Sequence, residues 1–326
     1  MQRIITFLIF TASVLLTGLV ASAQTSETAS VIRRAVESKQ WANAKTELEK
    51  LRTSQPALFR ENDYEYLLAR SAEQSGDVNV ALTSYQSTIA NNSTMSQYAL
   101  WHLARIARSS GDLVLERESL RKLLSLGSDT LLHKAASLRL ARSFFESSDY
   151  PSAVASARLL ATSKNVTISR EANLLTAQAL LRDNKPLEAR DIFTRLIMEM
   201  PDASRPDDFA LAAVKELDQL RTRSDIPAAP LSEADHLLWA SVYQFNRDFG
   251  DARVHYQAVI SGNPQSGTVP NATYQIGRGL YLEMKYEEAV KFFQSVADQF
   301  PQSQSARDAL ASLAASCLRV KRIDDP

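Results

Sequence analysis

Five arginines return at nearly constant spacing. Arg33, Arg70, Arg105 and Arg142 stand 37, 35 and 37 residues apart, and Arg278 holds the same place in a later copy of the pattern. Three of them follow an alanine and one follows Gly277. Gln178, Ser241 and Ala315 fill that place in the remaining copies. A guanidinium is a planar fork that grips a carboxylate or phosphate through two parallel hydrogen bonds. If the copies stack in register, these arginines align into a ladder whose ligand is an extended acidic peptide or another polyanion. The plainer alternative is that each arginine pairs with a nearby carboxylate, such as Glu37, Glu73 or Glu146, and only solvates its face.

Nothing else in the chain forms a reactive constellation. His102, His133, His236 and His255 have no metal-ligand spacing with one another or with the single cysteine, and they are expected on separate helices of separate repeats. No glycine-rich phosphate loop and no Gly-x-Ser-x-Gly elbow occurs. Cys317 is expected on a core position of the last helix as an inert thiol, and one cysteine excludes an internal disulfide. The reading is therefore of a protein that is not an enzyme and needs no cofactor or metal. The 37 Lys and Arg balance the 37 Asp and Glu, so no basic field argues for nucleic acid.

The elements that must position the arginines are most legible between Leu231 and Ser303, where one pattern is written twice. Ala240, Tyr243, Phe249, Ala252, Tyr256 and Pro264 recur 37 residues on as Gly277, Leu280, Tyr286, Ala289, Phe293 and Pro301. A small residue inside a first helix lets a partner helix approach to roughly 8–10 Å. Aromatics seven apart lie on one face of a second helix and flank the small residue between them. The closing proline, which lacks an N–H, ends that helix. Working backwards, second helices open at Trp41, Val78, Leu113, Tyr150 and Pro186, with Ala44, Ala81, Ala153 and Ala189 at the small position and Glu116 in the third copy. Ser75-Gly76-Asp77, Ser110-Gly111-Asp112 and Ser148-Asp149 stop the first helices. Pro56 and Pro201 close two second helices.

This pattern resembles the tetratricopeptide repeat, most closely in Ile276-Gly277, Tyr286-Glu287-Glu288-Ala289, Phe293 and Pro301. The resemblance implies an all-α fold, a right-handed α–α superhelix of about seven helix hairpins plus one interrupting helix. It also implies that the arginine position faces the concave groove, where repeats that bind peptide C-termini hold the carboxylate. The groove then carries Tyr274 and Tyr281, with Tyr66 and Trp101, as aromatic platforms beside the arginines, although aromatics at helical spacing are more often core. The C-terminal part is similar to two envelope families. Asp207-Asp208-Phe209-Ala210-Leu211, Leu231-Ser232-Glu233-Ala234, Tyr274–Gly279 and Phe300-Pro301 look like the superhelix of soluble lytic transglycosylases. Phe300-Pro301-Gln302-Ser303 and Ala306–Leu310 look like the repeat module of outer-membrane assembly and cell-division coordinator proteins.

Four segments follow. Residues 1–23 read as a secretory signal: Arg3, the apolar run Ile4–Val20 and the Ala21-Ser22-Ala23 cleavage site. A helical arm spans 24–201. An insert at 202–230 holds an amphipathic helix, Asp207–Arg221, with Phe209, Leu211, Val214, Leu217 and Leu220, and then a Pro-Ala-Ala-Pro linker. A second arm spans 231–326, where Leu313, Ala314 and Cys317 are expected to pack and Ile323 to open a further helix that the chain does not complete. A stack that stops in mid-repeat points to a fragment of a longer protein, or to a last helix that packs on something else. The expected product is periplasmic, without a membrane span after cleavage. Its partner is a protein or peptide, acidic in character, with peptidoglycan the further candidate. The alternative reading is the non-catalytic superhelical part of a lytic transglycosylase.

Overall fold

The computed structural model describes residues 27–127, 132–226 and 230–324. The signal-like segment 1–23 and most of the Pro-Ala-Ala-Pro linker lie outside them. Every regular element among the described residues is a helix, with no strand. The chain divides into two compact units, Met1–Ser148 and Asp149–Pro326.

In the first unit the helices are α1 (27–37), α2 (Trp41–Ser54), α3 (Pro56–Glu61), α4 (Tyr64–Ser75), α5 (Val78–Ala90), α6 (Ser96–Ser109), α7 (Leu113–Ser125) and α8 (His133–Glu146). The second holds α9 (Tyr150–Arg158), α10 (Val166–Arg182), α11 (Pro186–Met198), α12 (Asp208–Arg221), α13 (Glu233–Phe245), α14 (Phe249–Gly262), α15 (Val269–Leu282), α16 (Tyr286–Gln299) and α17 (Gln304–Asp324). Every second helix begins where the aromatic spacing predicts, at Trp41, Val78, Leu113, Tyr150, Pro186, Phe249 and Tyr286. Pro56 ends α2 but also opens α3, a short helix that the repeat pattern does not foresee; its Phe59 joins Ile32, Leu48, Leu51 and Leu68 in the core.

The seven turns between first and second helices share one backbone device. The residue two before each second helix has positive φ: Lys39, Gly76, Gly111, Ser148, Asn184, Arg247 and Met284. In six of them the next N–H closes on the carbonyl five residues back, as Asp77 N on Ala72 O at 2.8 Å and Lys285 N on Leu280 O at 2.9 Å. This left-handed closure satisfies carbonyls that the first helix leaves open. Only two of the seven positions use glycine, so the hydrogen-bonded turn outweighs the roughly 1 kcal/mol side-chain penalty at the others. Asp77, Asp112 and Asp149 then cap the second helices by accepting from Val80, Leu115 and Ser152 backbone N–H.

The small positions pack as the spacing requires. Ala44, Ala81, Ala153, Ala189, Ala252 and Ala289 are wholly buried. A Cβ at Gly277 would lie 2.7 Å from Phe293 Cε1 and 2.9 Å from its Cδ1. Phe293 is itself core, so glycine is what lets α15 and α16 meet there.

Two polar groups replace apolar packing. Glu116, at the small position of α7, is fully buried. Its Oε1 accepts from Arg139 Nε at 2.8 Å and lies 3.6 Å from Arg108 Nη1, and Arg108 also pairs with Glu146. Arg170 of α10 is buried and ties the interrupting helix into the second unit. It donates to Glu199 O at 3.1 Å, to Leu196 O at 3.0 Å and to Asp207 Oδ2 at 2.7 Å. Asp207 in turn caps α12 by accepting from Ala210 N. The core face of α12 is Ala210, Ala213, Val214, Leu217 and Leu220, with Phe209 and Leu211 only half-buried.

The last helix departs from expectation. α17 runs unbroken from Gln304 to Asp324, so no turn precedes Ile323. Ser305, Ala306, Ala309 and Ser316 are its buried positions among the described side chains, Leu313 is half-buried, and Ala314 and Cys317 are exposed. Small residues lie on every face of Ala309–Cys317, so spacing alone does not fix which face packs.

Candidate functional site

In the first unit two rungs of the arginine ladder converge on one carboxylate. Glu73 sits on α4 one turn after Arg70, and the side chains of both Arg70 and Arg105 of α6 reach it. Tyr85 OH of α5 donates to Glu73 Oε2 at 2.6 Å. His102 Nδ1 lies 3.2 Å from Glu73 Oε2 and 3.2 Å from Arg70 Nη1. It can donate to the first or accept from the second, according to its tautomer. Tyr66 and Tyr98 pack on this group, and the His102 ring stacks on Tyr85 at 5.4 Å. Burial alone would raise the Glu73 carboxyl, but hydrogen bonds from His102, Tyr85 and Arg105 outweigh it and hold it well below the carboxylate range. Burial, with the Glu73 charge beside it, drives the Tyr85 phenol upward. Both arginines are thus engaged within the fold, and Glu73 is the carboxylate they share.

The other candidates lie apart. Arg33 is exposed on α1 and Arg142 on α8. Trp101 of α6 lies under the Arg139 guanidinium at 5.9 Å. In the second unit Arg278 and Tyr281 of α15 line a cavity of about 250 Å³, closed by Phe293 of α16 and by Ala311, Ser312 and Ala315 of α17. Tyr274 stands behind it, its ring 5.7 Å from Phe293 and its OH 3.5 Å from Ser312 Oγ. Arg278 is exposed and, among the described residues, has no carboxylate within ion-pair distance. The position that in an earlier repeat meets Glu73 therefore meets a cavity here.

Spacing missed a third group. His236 and His255 are not on separate repeats: they face each other across the α13/α14 hairpin, Nδ1 to Nδ1 at 2.9 Å. His255 Nε2 lies 3.1 Å from Asp218 Oδ2 of α12, which also accepts from Tyr243 OH at 2.6 Å. His255 is buried between Tyr243, stacked at 5.7 Å, and Trp239, edge-on at 5.4 Å. The signal was present, a histidine on each helix of one hairpin, but Asp218 comes from the insert, and no repeat template places it. Among the described residues no three His, Cys, Asp or Glu side chains converge as metal ligands.

Only one proton fits between the two Nδ1 atoms. Burial, and then the neighbouring His255, push the His236 imidazole below its usual 6.5. The unfolded histidine takes up its proton near pH 6.5 and the folded one only lower, so the unfolded state binds more protons across that window. The stability linked to a neutral His236 is complete above about pH 6.5 and is lost as pH falls below it. Burial would raise Asp218, but bonds from His255 and Tyr243 hold it low, so its contribution fails only in more acid solution. The melting temperature of the second unit is expected to drop between pH 7 and 5, and His236→Gln to remove most of that drop. Thermal melts across the range check this, and an unchanged slope in the variant would assign the pH response elsewhere.

The class is thereby defined: an all-helical repeat protein built of stacked hairpins, with polar side chains gathered on its first helices. A profile of the tetratricopeptide repeat matches residues 66–130 and 138–208, and a second profile of the same repeat matches 272–303, together just over half of the chain. The chain belongs to the tetratricopeptide repeat family. No curated protein matches it. Among solved structures it is similar to a tetratricopeptide repeat protein from Parabacteroides merdae, with 16% identity over 89% of this chain and 98% of that one and a TM-score of 0.44. A C-terminal part of a repeat protein from Cytophaga hutchinsonii has 11% identity, 86% and 98% coverage and a TM-score of 0.41. Pseudomonas aeruginosa pilF has 15% identity, 77% and 98% coverage and a TM-score of 0.35.

Proposed function

We propose that this chain is an exported, non-enzymatic scaffold of the bacterial envelope that holds an acidic segment of a protein partner at Arg278. One observation carries the reading. Arg70 and Arg105 are occupied by Glu73, whereas Arg278, at the equivalent position, stands at the mouth of a cavity with Tyr281 beside it and no ion pair among the described residues. A carboxylate from a partner would supply there what Glu73 supplies within the first unit. Export is supported by the signal-like segment 1–23. Among the described residues no helix is long and apolar enough to cross a membrane.

The test is fluorescence anisotropy with a labelled peptide of alternating Glu and Leu. Arg278→Ala is expected to weaken binding about tenfold, the loss of one charge-assisted contact. Arg70→Ala is expected to leave binding within a factor of about two, since its guanidinium is already paired. Equal effects from both substitutions, or none from Arg278→Ala, would sink the assignment.

A further inference from the structure

Small residues of α17 create the cavity at Arg278, and the preceding repeat shows what they replace. Counting 37 residues on, Ser312 and Ala315 of α17 stand where α15 has Gln275 and Arg278, and Phe293 of α16 stands where α14 has Tyr256. In the earlier copy the long side chains are in place. Gln244 Nε2 donates to Gln275 O at 3.2 Å and lies 3.5 Å from Gln275 Oε1. Burial raises the Tyr256 phenol, and Arg278 lies near enough to oppose part of that rise. In the later copy a serine and an alanine take the two places, so neither reaches as far toward Phe293. α17 lies along α16 and meets α15 over a shorter stretch, which leaves the gap between α15 and α17 open. Phe293 does not move in to close it, because it is buried against Gly277 with the Tyr274 ring 5.7 Å away.

The lining narrows the occupant. The volume of about 250 Å³ exceeds the roughly 150 Å³ in which an apolar protein cavity holds a benzene ring. Phe293 and Tyr281 present ring surface from two helices, and aromatic pairs gain more than the area they bury. Ala311 and Ala315 add methyl groups on the third wall. The Ser312 hydroxyl is already spent, donating to Asp308 O at 3.0 Å. Arg278 is the one cation of this lining, so a carboxylate finds its fork at the mouth while a phosphate finds no second charge. Apolar depth with a cation at the rim is complementary to a ring carried beside an acid.

We propose, building on the reading of Arg278 as the anchor of an acidic segment, that the partner also inserts an aromatic side chain into this cavity. The ring comes from a residue adjacent to the carboxylate that Arg278 holds, and it rests against Phe293 and Tyr281. Binding at this site then reads two features together, so that acidic segments without a neighbouring ring are poor ligands.

The test uses three labelled peptides of one length and charge, alternating Glu and Ala, whose central Ala is kept or replaced by Leu or Phe. Fluorescence anisotropy with the full chain is expected to rank them Phe, Leu, Ala, with Phe about tenfold tighter than Ala. Ala315→Leu fills the cavity from α17. The matching position of α15 holds the exposed Arg278, so a long side chain has room there. Ala311→Leu, at an exposed position of the same wall, is the second filling variant. With helical circular dichroism intact, each is expected to bring the Phe peptide within about twofold of the Ala peptide while both peptides stay sensitive to Arg278→Ala. Equal binding of the Phe and Ala peptides, both weakened by Arg278→Ala, would overturn the ring pocket and leave the acidic anchor standing. A preference for Phe that survives both filling variants would also overturn it and place the ring elsewhere. A preference that the filling variants remove but Arg278→Ala leaves untouched would instead overturn the anchor, and with it the joint reading of ring and acid.

Discussion

Arg170→Ala is expected to destabilise the second unit by about 3–5 kcal/mol, the range for removing one partner of a buried ion pair. The side chain is buried and both terminal nitrogens of its fork are committed, one donating to Glu199 O and the other to Leu196 O and Asp207 Oδ2, while Nε is buried without a partner among the described residues. Truncation leaves two carbonyls at the α11 C-terminus and the Asp207 carboxylate without their donor. Asp207 keeps its bond from Ala210 N, but its second oxygen then loses its charged partner on a largely buried side chain, and Phe209 loses the guanidinium that covers its ring at 5.8 Å. Arg170→Lys keeps the charge but not the fork, and an intermediate loss follows. Trp239 is in the second unit and Trp41 and Trp101 are in the first, so urea unfolding read by fluorescence in a Trp41→Phe, Trp101→Phe background isolates the effect. Arg182→Ala, on the exposed side of the same helix, is the control and is expected to stay within about 0.5 kcal/mol. A loss at Arg170 no larger than at Arg182 would mean that water replaces the fork.

That staple marks the boundary of what spacing can reveal. Aromatic and alanine positions seven and three apart locate every second helix, because packing geometry dictates them residue by residue. They also anticipate the buried alanines and the close approach at Gly277. The common left-handed turn is invisible at Lys39, Asn184, Arg247 and Met284, because backbone hydrogen bonding rather than residue type maintains it there. The register of α17 is lost for a different reason: alanines and serines on all sides give no apolar stripe to read. Of the candidate site, the sequence names the arginines and names Glu73 as a carboxylate within reach. It does not reveal that Arg105, from the next repeat, shares Glu73 with Arg70, while Arg278 meets a cavity. Those outcomes depend on which residues of neighbouring helices face the arginine. The Asp218–His255–His236 chain lies further out of reach, since it joins an insert to a repeat.

Glu116 offers the converse experiment, in which restoring the family's usual residue should harm the protein. Every other second helix carries alanine at this position, and alanine is also the better helix former by a few tenths of a kcal/mol. On pattern alone Glu116→Ala is a repair. The structure predicts the opposite: a loss of about 3 kcal/mol, the low end for a broken buried pair because Arg139 is partly open to water and can recover some hydration. Arg108 retains Glu146, so Arg139 is the stranded partner. Glu116→Gln keeps the volume and one acceptor and is expected to lose about 1–2 kcal/mol. The decisive variant removes both charges. Glu116→Ala with Arg139→Met is expected to regain most of the loss, since well-packed apolar groups replace buried ion pairs at little or no cost. The non-additivity, read from Trp101 fluorescence beside Arg139, then measures the coupling directly. If the single alanine variant is as stable as the parent, the pair contributes nothing and the third repeat tolerates glutamate by accident. If the double variant is no better than the single, the harm comes from the space left by the side chain rather than from the orphaned guanidinium.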